Sequence, residues 1–121
     1  MRFTGPGPIS EVLARHPALT AIIAHLGAPE YGDFLGLAER HRRVYLDTTM
    51  VFTDFLERLA PFPAALLPRL AAAADRVLLG SDFPNISYPY LHQLQALARL
   101  DLGTPWLRAV CYGNATRLLG L

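Results

Sequence analysis

Apolar residues gather in three short, nearly unbroken runs, Leu19–Ala24, Val44–Asp47 and Arg76–Leu79. Such runs suit parallel strands covered on both faces, whereas antiparallel strands tend to alternate apolar with polar. Between the runs the apolar positions take helical spacing. Ile9–His16 reads as a short helix with Ser10 as N-cap and Pro17 as its stop. Glu30–Arg43 places Phe34, Leu35, Leu37 and Ala38 on one side and ends in a basic turn, which suits the negative end of the helix dipole. Phe52–Leu59 and the Ala/Leu-rich Ala64–Ala74 are two further helices, separated by Pro61 and Pro63. Asp82–Pro89 is a loop. Tyr90–Leu100 then presents Leu91, Leu94, Leu97 and Ala98 as a buried stripe.

The end of the chain carries two start signals. Thr104-Pro105 is an N-cap followed by a first-turn proline, and opens a helix running through Trp106, Leu107, Val110 and Cys111. Asn114 is the expected N-cap of a separate last helix, Ala115–Leu119, stopped by Gly120. Residues 1–8, with Gly5, Pro6, Gly7 and Pro8 in alternation, are expected to be an irregular lead-in. Helices alternating with strands imply an α/β fold with a parallel sheet. Three strands are few, because a closed eight-stranded barrel takes about 250 residues.

Composition narrows the function. The chain is 52% hydrophobic and 17% charged, so much of it must be buried internally or against something else. A net charge of +1 and the lack of any Lys/Arg block give no case for nucleic acid. Cys111 is the only cysteine, which excludes an internal disulfide and a cysteine metal cage. It is expected in the core as a small apolar residue. No apolar stretch approaches the roughly 18 residues of a membrane span, and residues 1–8 lack a signal-peptide core. A cytoplasmic protein is the expectation. Both common glycine-rich phosphate loops are missing.

Each strand ends in polar residues: His25, then Asp47-Thr48-Thr49, then Ser81-Asp82. Parallel α/β folds place their chemistry at the C-terminal ends of strands. His25 reads either as a histidine bonded to a loop carbonyl or as a functional group. Asp47 reads as a cap of a turn or of the Phe52 helix in preference to a catalytic group. Asp82 reads as an Asx-turn residue or as functional, and its place after a buried run favours function. His16, His41 and His92 are expected at the surface, as are Arg108 and Arg117; Tyr88 and Tyr90 either line a pocket or pack. A His/Asp pair suits hydrolysis assisted by a divalent metal, but a catalytic zinc usually keeps three protein ligands.

His25-Leu26-Gly27, Gly80-Ser81-Asp82-Phe83-Pro84 and the closing Gly113-Asn114-Ala115-Thr116-Arg117-Leu118-Leu119-Gly120-Leu121 together resemble the amidohydrolase-related family. These are metal-dependent (β/α)8-barrel hydrolases, with relatives that decarboxylate aromatic acids. The resemblance runs from about Ile9 to Leu121 and implies a partial TIM barrel, the C-terminal part of such a domain. The three strands would be strands six, seven and eight with their helices, in a single segment over residues 1–121. It implies that His25 is an acid/base group or metal ligand, and that Asp82 is a metal ligand or proton acceptor. The implied cofactor is a divalent metal, zinc by preference, and the implied substrate is a small molecule. The family's His-x-His of strand one and histidine of strand five are missing. Metal binding by this chain alone is therefore expected to be weak. The implied partner is the missing N-terminal half of the barrel, or a second copy, because a partial barrel exposes sheet edges and apolar faces. Two other readings are a non-catalytic α/β binding or assembly module and an inactive remnant.

Overall fold

The computed structural model describes residues 4–121. Three strands, β1 (Ala21–Ile23), β2 (Val44–Asp47) and β3 (Val77–Leu78), form one parallel sheet in the order β1-β2-β3. Among the described residues space order follows chain order with no reversal, the arrangement of consecutive strands in a barrel. β1 and β3 are shorter than the apolar runs that announce them, whereas β2 matches its run. Leu19, inside the first run, is 39% exposed.

Strand pleating sorts the apolar residues onto two faces. Ile23 pairs with Leu46, and Leu46 with Val77, so these point the same way as Ala21 and Val44. Val44, Leu46 and Val77 are fully buried and join the core under the helices. The opposite face carries Ile22, Tyr45, Asp47 and Leu78, and there Ile22 is half exposed.

The helices follow the predicted order with shifted ends. Helix α1 (Pro6–Arg15) begins inside the supposed irregular lead-in, of which residues 1–3 lie outside the described residues. Pro6 and Pro8 are compatible with the first turn, where backbone N–H groups have no helical partner, so they begin the helix where they were expected to prevent it. Gly5, with φ 95°, is the N-cap, and Ser10 lies within the helix. Helix α2 (Tyr31–Arg40) buries Tyr31, Phe34, Leu35, Leu37 and Ala38, and stops before His41. Helix α3 (Asp54–Leu59) is capped by the Thr53 hydroxyl, which accepts from Leu56 N–H; Asp47 does not cap it. A 3-10 turn, Ala64–Leu66, leads into the short α4 (Leu67–Ala72).

Helix α5 (Tyr90–Arg99) packs on a different stripe from the one its leucines suggest. Gln93, Ala96 and Leu97 are buried, whereas Leu91 is 57% exposed and Ala98 is also outside. Helix α6 (Thr104–Arg108) starts after Gly103, which takes φ 97° as the N-cap in place of Thr104. It runs through a π turn, Ala109–Gly113, into α7 (Asn114–Leu119). Asn114 is therefore not the start of a separate helix. Its backbone is helical and its amide donates to the carbonyls of Ala74 at 2.6 Å and Val77 at 2.7 Å. One turn earlier, Val110 C=O accepts Leu79 N–H at 3.0 Å. These bonds occupy polar groups on the edge of β3 away from β2, which would otherwise be open. Cys111 is exposed on this helix, contrary to the expected core position.

Arg76 ties the other end of the sheet, donating to the carbonyls of His41 and Val44 while its guanidinium lies 5.3 Å from the Tyr45 ring centroid. Tyr31, Phe52 and Phe62 form an aromatic cluster with centroid separations of 4.9 and 5.0 Å. The Tyr31 hydroxyl donates to Ala60 C=O at 2.5 Å. Burial, aided by the Glu57 carboxylate, pushes this phenol from 10.0 up to about 12. A phenol that holds its proton more tightly when folded stabilises the fold below its unfolded pKa and loses that contribution as pH rises through the folded one. Stability in urea titrations is therefore expected to fall between pH 10 and about 12, and Tyr31→Phe is expected to flatten that fall.

Candidate active site at the strand ends

Leaving β1, the chain turns through Ala24–Gly27 with three consecutive left-handed residues, His25 (φ 57°), Leu26 (φ 50°) and Gly27 (φ 80°). Two of them are not glycine, so the surroundings must hold them there. Leu26 is fully buried and anchors the turn from inside. Gly27 has its backbone against Phe34, where an added Cβ would fall 2.1 Å from the ring. His25 N–H donates to Asp47 Oδ1 at 3.2 Å. The His-Leu-Gly triplet thus divides into a displayed side chain, an anchor and a close approach.

Asp47 ends β2 and accepts twice, from His25 N–H and from Thr49 N–H at 2.9 Å. This is the turn-capping role expected of it, extended to join two strand ends. Gly80, after β3, closes the group. Its N–H donates to the Thr48 hydroxyl at 3.2 Å, and a Cβ on it would lie 2.2 Å from Thr49 Oγ1 and 3.0 Å from the Asp47 carboxylate. Glycine is required here by space, because the end of β3 presses directly on the end of β2.

The His25 ring is oriented by the loop after β2. Nδ1 lies 2.8 Å from Thr49 C=O. A carbonyl only accepts, so Nδ1 carries the proton and the neutral ring presents its lone pair at Nε2. Held in that tautomer, an imidazole can take a proton or ligate a metal. Both readings of His25 meet in one residue: it is bonded to a loop carbonyl, and that bond leaves the other nitrogen available.

Asp82 is exposed and also left-handed, with φ 60°. The local turn is made by its neighbour, since Phe83 N–H donates to Ser81 Oγ at 3.2 Å, while Asp82 contributes only its backbone carbonyl, to Asn85 N–H at 2.7 Å. The Asx-turn reading is therefore not what the side chain does. Among the described residues no hydrogen bond engages the Asp82 carboxylate or joins it to His25. Its charge is felt by Tyr88. Burial pushes that phenol above its usual range, the Thr53 side chain opposes the shift, and Asp82 adds to it. Among the described residues no group of three His, Cys, Asp or Glu side chains is placed to hold a metal ion. His25 and Asp82 are ordinary donors for a divalent metal, but two donors fall short of a catalytic zinc site.

His92 is partly buried and was expected at the surface. Its Nε2 accepts Asp54 N–H at 3.4 Å and its ring meets Tyr88 edge-on at 5.3 Å. Gln93, beside it, attracts no notice in the sequence because a polar residue on a helix reads as solvent-facing. It is fully buried behind the loop that holds His25. Gly80→Ala is expected to cost about 1–3 kcal/mol through overpacking. Thr49→Ala in the same chain should recover part of that loss in denaturant midpoints, because it removes the nearer of the two obstructing groups.

Known proteins agree with this architecture. The amidohydrolase family model matches residues 1–121. An uncharacterised TIM-barrel protein of Bordetella bronchiseptica is similar in structure, with TM-score 0.76 and 26% identity over 95% of this chain and 39% of its own. A probable 2-pyrone-4,6-dicarboxylic acid hydrolase of Acinetobacter baumannii, solved with citric acid bound, shares the fold with TM-score 0.63 and 18% identity over 98% of this chain and 51% of its own. No curated protein matches. The chain spans about two fifths to one half of the length of these two structures, and its three strands and flanking helices correspond to part of a TIM barrel. With the whole of the described fold matched by the family model, the chain belongs to the amidohydrolase family.

Proposed function

We propose that this chain contributes His25 and Asp82 to the active site of a metal-dependent hydrolase, or of an aromatic-acid decarboxylase, in a complete barrel. The carrying observation is the His25 ring, whose Nδ1 faces Thr49 C=O and whose Nε2 is thereby left as a base at the C-terminal end of the sheet. Asp82 supports the reading as a carboxylate beyond the end of β3, the far strand from β1 in the sheet order, uncommitted by any hydrogen bond among the described residues. In this role Nε2 takes a proton from the attacking water or returns one to the leaving group, and Asp82 accepts a proton or ligates the cation. The family's divalent metal, proposed to be zinc, would polarise the scissile group when bound. The remaining ligands and strands would come from the rest of a longer polypeptide or from a partner chain. The group at the strand ends, His25, Asp47 and Gly80, would then be one wall of the active site.

A second reading, a non-catalytic assembly module, draws on the uncovered sheet. Ile22 is half exposed, and a groove of about 410 Å³ lined by Ile9, Val12, Ile22 and Phe34 runs beside β1. Self-association through that face would serve either reading, so it does not separate them.

Turnover in the complete barrel does, and zinc retention by the chain alone tests the incomplete site. The chain alone, dialysed against zinc and then against buffer, is expected to retain well below one ion per chain, and stoichiometric zinc would contradict the incomplete site. In the complete barrel, Asp82→Asn and His25→Gln are each expected to lower kcat/KM by about 100-fold or more for ester, amide or lactone hydrolysis or for decarboxylation. Unchanged turnover in both variants would favour the assembly reading.

A further inference from the structure

Gln93 belongs to α5, remote in sequence from the loop Thr48–Thr53, yet its side chain is spent entirely on that loop. Its Oε1 accepts Met50 N–H at 3.0 Å, and its Nε2 donates to Thr48 C=O at 3.2 Å and Val51 C=O at 3.1 Å. The residue is fully buried. The loop needs such a partner. Met50 and Phe52 are left-handed, with φ 62° and 71°, so neither a helix nor a ladder supplies partners for the peptide groups around them.

One of these bonds reaches His25. The Met50 N–H and the Thr49 C=O belong to the same peptide unit, which is planar and trans, so they point in opposite directions. Gln93 Oε1 takes the N–H at one edge of the peptide plane, and the C=O at the opposite edge is the group facing His25 Nδ1 at 2.8 Å. Fixing one end of the peptide fixes the other. The bonds to Thr48 C=O and Val51 C=O brace the loop on either side and stop the plane from flipping as a unit.

We propose that Gln93 is a positioning residue that sets the tautomer of His25 by clamping the Thr49–Met50 peptide plane. Gln93 would thereby keep the Nε2 lone pair presented without approaching any reacting atom. Its importance to catalysis rests on the role proposed above for His25, but the effect on the ring is measurable without turnover.

The test is nitrogen NMR of His25 in the metal-free chain at about pH 8, where an imidazole is neutral. The wild type is expected to show a protonated Nδ1 and an unprotonated Nε2, with the Met50 amide protected from hydrogen exchange. Gln93→Leu removes both the acceptor and the donors, and its His25 nitrogens should move to tautomer-averaged positions. Gln93→Glu, buried against two carbonyls, favours the neutral acid, which keeps an acceptor for Met50 N–H and one donor, and should keep the wild-type pattern. A folded Gln93→Leu with the wild-type pattern overturns the proposal. If Gln93→Leu does not fold, the other two proteins decide. A protonated Nε2 or a freely exchanging Met50 amide in the wild type overturns it, as does loss of the Nδ1–H tautomer in folded Gln93→Glu. Loss of the functional reading, by unchanged turnover in the Asp82 and His25 variants, leaves the NMR result standing.

Discussion

The site region depends on one constraint: the loop leaving β2 has backbone groups that must find partners away from water, and no regular element provides them. Met50 and Phe52 turn the wrong way for a helix, and past the Thr48 N–H, which reaches Leu78 C=O, the loop leaves the sheet. Turn bonds from Val51 N–H to Thr48 C=O and from Thr53 N–H to Met50 C=O serve part of it, and side chains supply the rest. Asp47 takes Thr49 N–H, Gln93 takes Met50 N–H and reaches two carbonyls, and the Thr53 hydroxyl donates to Met50 C=O at 2.6 Å. Once those bonds are made, Thr49 C=O has one direction left, and His25 lies along it. Packing from β3 adds to the restraint, because Gly80 lets the next strand end press against Thr49 and Asp47.

The parts of this fold that rest on apolar continuity are legible in the sequence. Val44–Asp47 is a strand as read, and α2 buries the same four residues that its spacing indicates, with Tyr31 added. What escapes is polar residues serving a distant backbone. Gln93 and Asn114 are both buried, and each spends its amide on carbonyls far away in the chain. With Gln93 on its buried side, α5 keeps Leu97 inside and turns Leu91 outward. Nothing periodic marks such a residue, because its partner is set by tertiary placement. The start of α1 escapes for a different reason: proline is tolerated in the first turn of a helix, so a Gly/Pro alternation can open one.

The strand ends were legible as positions and not as partnerships. His25, Asp47 and Asp82 each follow an apolar run, as a parallel sheet requires. Their division of labour needed coordinates. Asp47 has one oxygen, Oδ1, committed to two backbone N–H groups, while Asp82 has none of that work. Two carboxylates that look alike in the sequence therefore differ in what they have left to offer a substrate or a cation.

The π turn between α6 and α7 has a consequence for the length of the C-terminal segment. An α-helix advances about 100° per residue, so losing or gaining one residue in Ala109–Gly113 would rotate all that follows by that angle. Asn114 would then swing off the carbonyls of Ala74 and Val77, and the last helix would present a different side to β3. The wide turn sets the phase between two contacts, Val110 on Leu79 and Asn114 on Val77, that a uniform helix would place at another angle. This segment should accordingly tolerate changes of residue type far better than changes of length.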